Sequence, residues 1–272
     1  MKKLLSLSEI DWISEGVKRP QPGIQPGNHP CVADCIPPVF PAYAKLFHPI
    51  YEDLSIEDHA LTWQDVEKAR LQIVPTPVDP FLRKILETLR VSTIEYGPAG
   101  PAARLSRILW SQLAHDVGLR YLPTLSSSSF TRQFPGGFWP RRLVGPDQGN
   151  LEAQTRDVLV SILQRHTKVS RCLFHVWILA AIKWEEDLLF QGALSEASLF
   201  PDKVENVRLT PTHWFPEDRS WLVCTDYDLT FTLIGGSESL VGDLLNSSAV
   251  ECLRVDPETR VDGKADLTSQ HR

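Results

Sequence analysis

The sequence predicts an α+β fold: a mostly helical N-terminal half, then an antiparallel or mixed sheet with helices in the C-terminal half. Three patterns lead there. Apolar residues recur at helical spacing between residues 60 and 120. Short runs rich in β-branched and aromatic residues crowd the chain beyond residue 170. Helices segregated from strands, instead of alternating with them, mark an α+β arrangement.

Ser6-Leu7-Ser8-Glu9 has the form of a capping box, which predicts a short helix over 7–17. From Pro20 to Pro49 prolines are dense and forbid long helices and central strands. This stretch reads as an ordered arm with a short helix at Phe40–Phe47. Thr62 caps a helix over Trp63–Leu71. Asp79-Pro80 opens another, with Phe81, Leu82, Ile85, Leu86 and Leu89 on one stripe. Pro101 opens a third, carrying Leu105, Ile108, Leu109 and Leu113 and stopped by Gly118.

After the polar Ser126–Ser129 break comes an irregular aromatic loop, Phe134–Arg142. Asn150 caps a helix running to about His166. Strands are expected at Cys172–Ala180, Leu188–Leu194, Val207–Leu209, Trp221–Thr225, Leu229–Ile234 and Val250–Val255. Gly235-Gly236 turns the chain, and Ser237 caps a helix over Glu238–Asn246. The domain reading is a proline-rich arm over 1–49 and a single α+β domain over 50–256. Its helical part is 60–120 and its helix-plus-sheet part 150–256; a disordered tail covers 257–272.

With 272 residues and a formal charge of −6, the chain is long enough for a large core and mildly acidic. A nucleic-acid coat protein wants a basic excess, so nucleic acid is disfavoured and a protein is the expected partner. Five cysteines, three of them in apolar runs, suit a reducing compartment. The apolar start fails at Ser6, Ser8, Glu9 and Asp11, so no signal peptide or membrane span is read and the expected location is the cytoplasm.

Several segments together resemble a family of uncharacterised bacterial proteins common in actinobacteria. They are Phe40–Pro49, Leu61–Val66, Gly149-Asn150-Leu151, His166-Thr167 and Cys172-Leu173-Phe174. The most specific is Trp214-Phe215-Pro216-Glu217-Asp218-Arg219-Ser220-Trp221, continuing through Asp226, Asp228 and Gly235-Gly236-Ser237 to Glu251. The segment from about 81 to 145 departs from that pattern. The resemblance implies a shared fold. The family has no assigned activity, so it carries over no catalytic residue.

Chemistry is sparse. Glu217, Asp218, Asp226 and Asp228 flank one strand, and residues two apart on a strand share a face. They would serve a hard metal or acid/base catalysis; the simpler reading is ion pairs and turn bonds. Gly235–Ser239 resembles a nucleophile elbow without its closing glycine, and reads more simply as a turn with Ser237 as cap. Trp139, Arg141 and Arg142 in a glycine-proline loop, and Arg219, suit binding; the alternative for the loop is aromatics folded onto the core with exposed arginines. His29, Cys31, Cys35 and His48 make a poor zinc set. Cys172 and His175 point to opposite faces, which makes His175 a core or half-buried histidine. With no Walker loop, dinucleotide fingerprint or H-E-x-x-H, no cofactor or metal is expected.

Three functions follow in order. The first is an interaction protein, immunity-like in that it neutralises a toxin. The second is a metal-assisted hydrolase using the four carboxylates. The third is an anion or nucleotide sensor using Ser237 with Arg141 and Arg142.

Overall fold

A computed structural model describes residues 1–17, 29–73, 104–177, 187–200, 204 and 209–265. The chain divides into two compact units, one of residues 1–48, 120–126 and 147–272, the other of residues 49–119 and 127–146. The helix expected after Asp79-Pro80 lies outside the described residues.

The expectation of a mostly helical N-terminal half is overturned. Among the described residues eleven strands form two antiparallel sheets, drawn from both halves of the chain, so the class is α+β with sheet dominant. The clearest correction is Phe40–Phe47. It is not a helix: Ala42–Phe47 is strand β2, paired on both sides near one edge of the larger sheet. Ala42, Ala44 and Leu46 face one core, while Tyr43, Lys45 and Phe47 face away from it and are also buried. Burial on both faces erases the apolar–polar alternation that announces a strand. The prolines at 37, 38, 41 and 49 stand outside its ends, where they interrupt no ladder bond.

The larger unit holds an eight-stranded sheet. In chain order its strands are β1 (Lys2–Lys3), β2, β6 (Cys172–Val176), β7 (Leu188–Gly192), β8 (His213–Pro216), β9 (Leu222–Cys224), β10 (Phe231–Gly236) and β11 (Cys252–Val255). Across the sheet they run β1-β7-β6-β8-β9-β10-β2-β11, each pair antiparallel. One face carries Phe174, Trp214, Val223 and Ile234 against Leu159 and Leu163 of the helix Ala153–His166 and Leu240 and Leu244 of the helix Glu238–Leu245. The other carries Leu173, Phe215, Leu222 and Leu233 beneath Ile10, Ile13, Val32 and Ile36. Asn150 does not cap the first of these helices; Glu152 stands at its cap, and the Asn150 amide oxygen accepts from Thr210 Oγ1 instead.

The expected N-terminal helix is present as a 3-10 turn, Ser8–Ile10, followed by an α-helix, Asp11–Gly16. The Ser6 hydroxyl accepts from the Ser8 amide, and Glu9 pairs with Arg171, so no capping box forms there. Residues 257–265 are not a disordered tail. The carbonyls of Pro257 and Thr259 accept from Ala33 and Val32, and Val261 is buried.

The smaller unit holds the three-stranded sheet β4-β3-β5: Leu105–Ile108, Ile50–Asp53 and Leu143–Val144. Residues 105–108 were expected in a helix. They pair with β3, and the helix starts only at Trp110, running to Asp116 before Gly118 at φ 74°. Leu105 and Leu109, read as one apolar stripe, are both exposed. Thr62 caps its helix as expected, and the cap is a box: the Asp65 amide donates to Thr62 Oγ1 at 3.3 Å, and the Thr62 amide donates to Asp65 Oδ2 at 3.0 Å.

Candidate functional site

The four candidate carboxylates do not converge. Glu217 and Asp218 lie in the turn that enters β9, and Asp226 and Asp228 in the turn that leaves it. Seven residues separate Asp218 from Asp226, and strand β9 lies between them.

At the entering turn every charge is engaged. Glu217 pairs with Arg171 at 3.2 Å, and Arg171 also pairs with Glu9 at 3.1 Å. Asp218 Oδ1 accepts from the Ser220 amide. Arg219 adopts φ 55°, closes the turn by donating its amide to the Pro216 carbonyl, and lays its guanidinium 5.2 Å from the Trp12 ring.

The leaving turn is different. Asp226 and Asp228 meet through a turn, not through the pleat of a strand: Asp226 Oδ1 accepts from the Asp228 amide at 3.3 Å. Burial and the neighbouring Asp228 carboxyl raise the Asp226 pKa to about 7, so Asp226 takes up its proton near neutrality. Between them Tyr227 meets Trp177 edge to face, centroids 5.5 Å apart. Burial, then the charges of Asp228 and Asp226, raise the phenol pKa, which places both carboxylates near it. Trp177 is 37% exposed. The turn is held from behind by Gly149, whose amide donates to the Leu229 carbonyl. Gly149 has φ +63°, and a Cβ there would stand 2.5 Å from Tyr227 Cα.

Beside this turn the sheet carries a polar row. Register sets His175 opposite His213, His213 opposite Cys224, Cys224 opposite Leu233, and Leu233 opposite Lys45. His175 Nδ1 lies 3.1 Å from His213 Nδ1, and His175 Nε2 lies 3.1 Å from Asp187 Oδ2. Desolvation, then the neighbouring His175, lower the His213 pKa to about 3, so its ring is neutral. The Cys35 carbonyl takes a hydrogen bond from that ring. A carbonyl only accepts, so the His213 proton is on Nε2 and Nδ1 accepts from His175. At the far end of the row Lys45 Nζ donates to the carbonyls of Pro123 and Leu125 at 2.9 and 2.7 Å and stands 3.9 Å above Phe231.

A second buried chain starts from Thr225, which follows Cys224. Thr225 Oγ1 lies 2.9 Å from Thr232 Oγ1, which lies 3.0 Å from His48 Nε2; His48 Nδ1 donates to the Asp147 carbonyl at 2.6 Å. Burial lowers the His48 pKa to about 4, so Nε2 accepts from Thr232 and Thr225 donates to Thr232.

The other candidates are architectural. Ser237 accepts from the Leu240 amide as a helix cap. Trp139 is buried against Phe130 and Phe134 and donates to Thr131 Oγ1. Arg141 is buried, not exposed, with its guanidinium 4.1 Å from the Trp63 ring, and Arg142 pairs with Glu52. Ser237 thus belongs to the larger unit and the two arginines to the smaller one, each already engaged.

Ser239, His166 and Asp243 also line up. Ser239 Oγ is 3.4 Å from His166 Nδ1, and His166 Nε2 is 2.9 Å from Asp243 Oδ2. Arg165 pairs with the same carboxylate at 3.2 Å, and the hydrogen bonds from His166 and Arg165 lower its pKa. Arg165 and His166 at the C-terminal turn of one helix, both bonded to a carboxylate of the next, make a helix clamp.

Among the described residues, no three His, Cys, Asp or Glu side chains are grouped to hold a metal, and no helix is long and apolar enough to cross a membrane. The chain matches no family model, no curated protein and no solved structure.

The sequence pointed to Asp226 and Asp228 but not to Trp177, Asp187 or His213.

Proposed function

We propose that this chain is a binding protein that takes a basic segment of a partner protein on the ridge of Trp177, Tyr227, Asp226 and Asp228. The observation that carries the reading is an exposed tryptophan set edge to face on a tyrosine flanked by two carboxylates. Aromatic faces attract ammonium and guanidinium groups, and carboxylates beside them supply charge and hydrogen bonds. Tryptophan and tyrosine are also the side chains that anchor protein interfaces. The net charge of −6 favours encounter with a cationic partner.

The immunity-like form of this proposal makes the partner a basic toxin met in the cytoplasm of a bacterial cell. Five free thiols suit that compartment. The ordered resemblance to an actinobacterial family supports the bacterial origin.

The probes are a tetra-arginine peptide and a tetra-glutamate peptide, titrated against the protein with tryptophan fluorescence and calorimetry. Tetra-arginine binds and tetra-glutamate does not. Trp177→Ala and Asp228→Asn each weaken binding by about tenfold. Because Asp226 takes up a proton as the pH drops through about 7, affinity falls in the same window. Equal binding of both peptides, or an unchanged affinity in Trp177→Ala, would sink the proposal.

A further inference from the structure

Five cysteines are free, and two of them share one spot under the N-terminal cover of the sheet. Cys224 is on β9, 2% exposed, on the second sheet face. Cys35 follows the 3-10 turn Val32–Asp34, is half-buried, and packs against the same cluster. Their closeness is fixed through His213. That residue is the direct cross-strand partner of Cys224, on the same face, and its ring donates to the Cys35 carbonyl. Side chains directly opposite across an antiparallel pair stand about 5 Å apart at Cβ. Cys35 acts more strongly on the Cys224 thiol than any other neighbour, and it packs against the cluster that holds Cys224, so the two side chains lie close together. Cys31, Cys172 and Cys252 have other settings; Cys172 lies on the opposite face of the sheet, and Cys252 packs against the core of that face.

We propose that Cys35 and Cys224 form a reversible dithiol–disulfide couple that exchanges with small-molecule disulfides, with His213 as the positioning residue that holds the Cys35 backbone over β9. The half-buried Cys35 is the sulfur a disulfide reaches; Cys224 is reached only from within. Cys35, as thiolate, attacks one sulfur of the small disulfide. That S–S bond breaks, and the departing thiolate takes up the proton Cys35 lost. Cys224, as thiolate, then attacks the Cys35 sulfur of the mixed disulfide, forming the internal S–S bond and expelling the second small thiolate with its proton. Two electrons pass from the protein dithiol to the small disulfide, which leaves as two thiols. The neighbouring Cys35 thiol, then burial, raise the Cys224 pKa well above the usual thiol range. The second step is therefore the slow one, and it accelerates with pH. The product ties the Val32–Asp34 turn, and with it residues 257–261, to the strand that leads into Asp226.

The test uses the full chain incubated with oxidised glutathione over a series of thiol–disulfide ratios. The protein is quenched by alkylation in denaturant and read by intact mass and peptide mapping. The expected product has two fewer alkylated thiols, a Cys35–Cys224 cross-linked peptide, and full recovery of five thiols on reduction. In Cys35→Ser no internal cross-link forms and no glutathione is retained on Cys224. In Cys224→Ala the reaction stops at a glutathione adduct on Cys35. Five alkylatable thiols at every ratio would overturn the proposal. So would a cross-link joining Cys35 to Cys31. The wild-type map decides these points even if a variant does not fold.

Discussion

The two ends of β9 carry similar residues and treat them in opposite ways. At the entering turn Glu217 has Arg171, Asp218 has the Ser220 amide, and Arg219 has the face of Trp12. At the leaving turn Asp226 is set against the Asp228 carboxyl, a neutral His213 is wedged against His175, and a tryptophan faces solvent. Charges with fitted partners hold a hairpin together. Charges set against one another cost stability, and a fold keeps such an arrangement where it serves a site. The contrast is testable because the two ends should respond differently to the same kind of change.

The largest expected effect is at the leaving turn's support. In Gly149→Ala the new Cβ meets the Tyr227 backbone at 2.5–2.9 Å, at a φ of +63° that an L-residue tolerates poorly. Neither backbone segment is a flexible side-chain end that can step aside. The expected loss is about 4 kcal/mol of unfolding free energy by chemical denaturation, with the Trp177–Tyr227 ridge displaced. A loss under 1 kcal/mol would mean that the turn is not held against Gly149.

Next is an acid effect that Thr225 shares. His48 is buried and neutral, with a pKa of about 4 against 6.5 when exposed. A depressed histidine contributes stability that is whole above 6.5. That stability drains as the pH falls towards 4, because the unfolded chain binds the proton first. The contribution is about 3 kcal/mol across that window. His213, lowered to about 3, acts in the same sense. His48→Gln keeps a donor for Asp147 and an acceptor for Thr232, so it should flatten urea-derived stability between those pH values.

Asp226 has the opposite sign. Its folded pKa of about 7 lies above the usual 3.8, so the native state holds the proton more tightly. Stability from this group is complete below 3.8 and is lost as the pH rises through 7. Asp226→Asn should therefore stabilise at pH 8 and do little at pH 5. Solvent around Asp228 screens the pair, so the gain is on the order of 1 kcal/mol. A destabilised Asp226→Asn at pH 8 would show that the carboxylates are separately satisfied, like those of the entering turn.

How much of this was legible follows from the range of each signal. Local signals read well. The Thr62 cap, the β9–β10 hairpin with its Asp226–Asp228 turn, and the Ser237 cap are all set by residues a few positions apart. Strand β2 was misread because its partners lie about 190 residues away on β10 and about 210 away on β11, and they bury the face that would have shown alternation. Residues 105–108 were misread because Leu105, Ile108 and Leu109 satisfy a helical spacing that only pairing with β3 overrides. The site was half legible for the same reason. Asp226 and Asp228 find each other locally, while Trp177 and His213 reach them only through the order β6-β8-β9.

The smallest expected effect tests whether the entering turn is as fully satisfied as its contacts suggest. Arg219 sits in the left-handed region, which costs a non-glycine residue about 1 kcal/mol. Its guanidinium over Trp12 returns about 0.5–1 kcal/mol at a solvent-exposed site. Arg219→Ala keeps the strain and loses the stack, so it should destabilise by about 0.5 kcal/mol. Arg219→Gly loses both, and should come out within about 0.5 kcal/mol of the parent, above the alanine variant. If glycine proves worse than alanine, the backbone at 219 is not strained. The turn would then be held by the arginine side chain alone, and the order of effects between the two ends of β9 would have to be argued from side chains without the backbone.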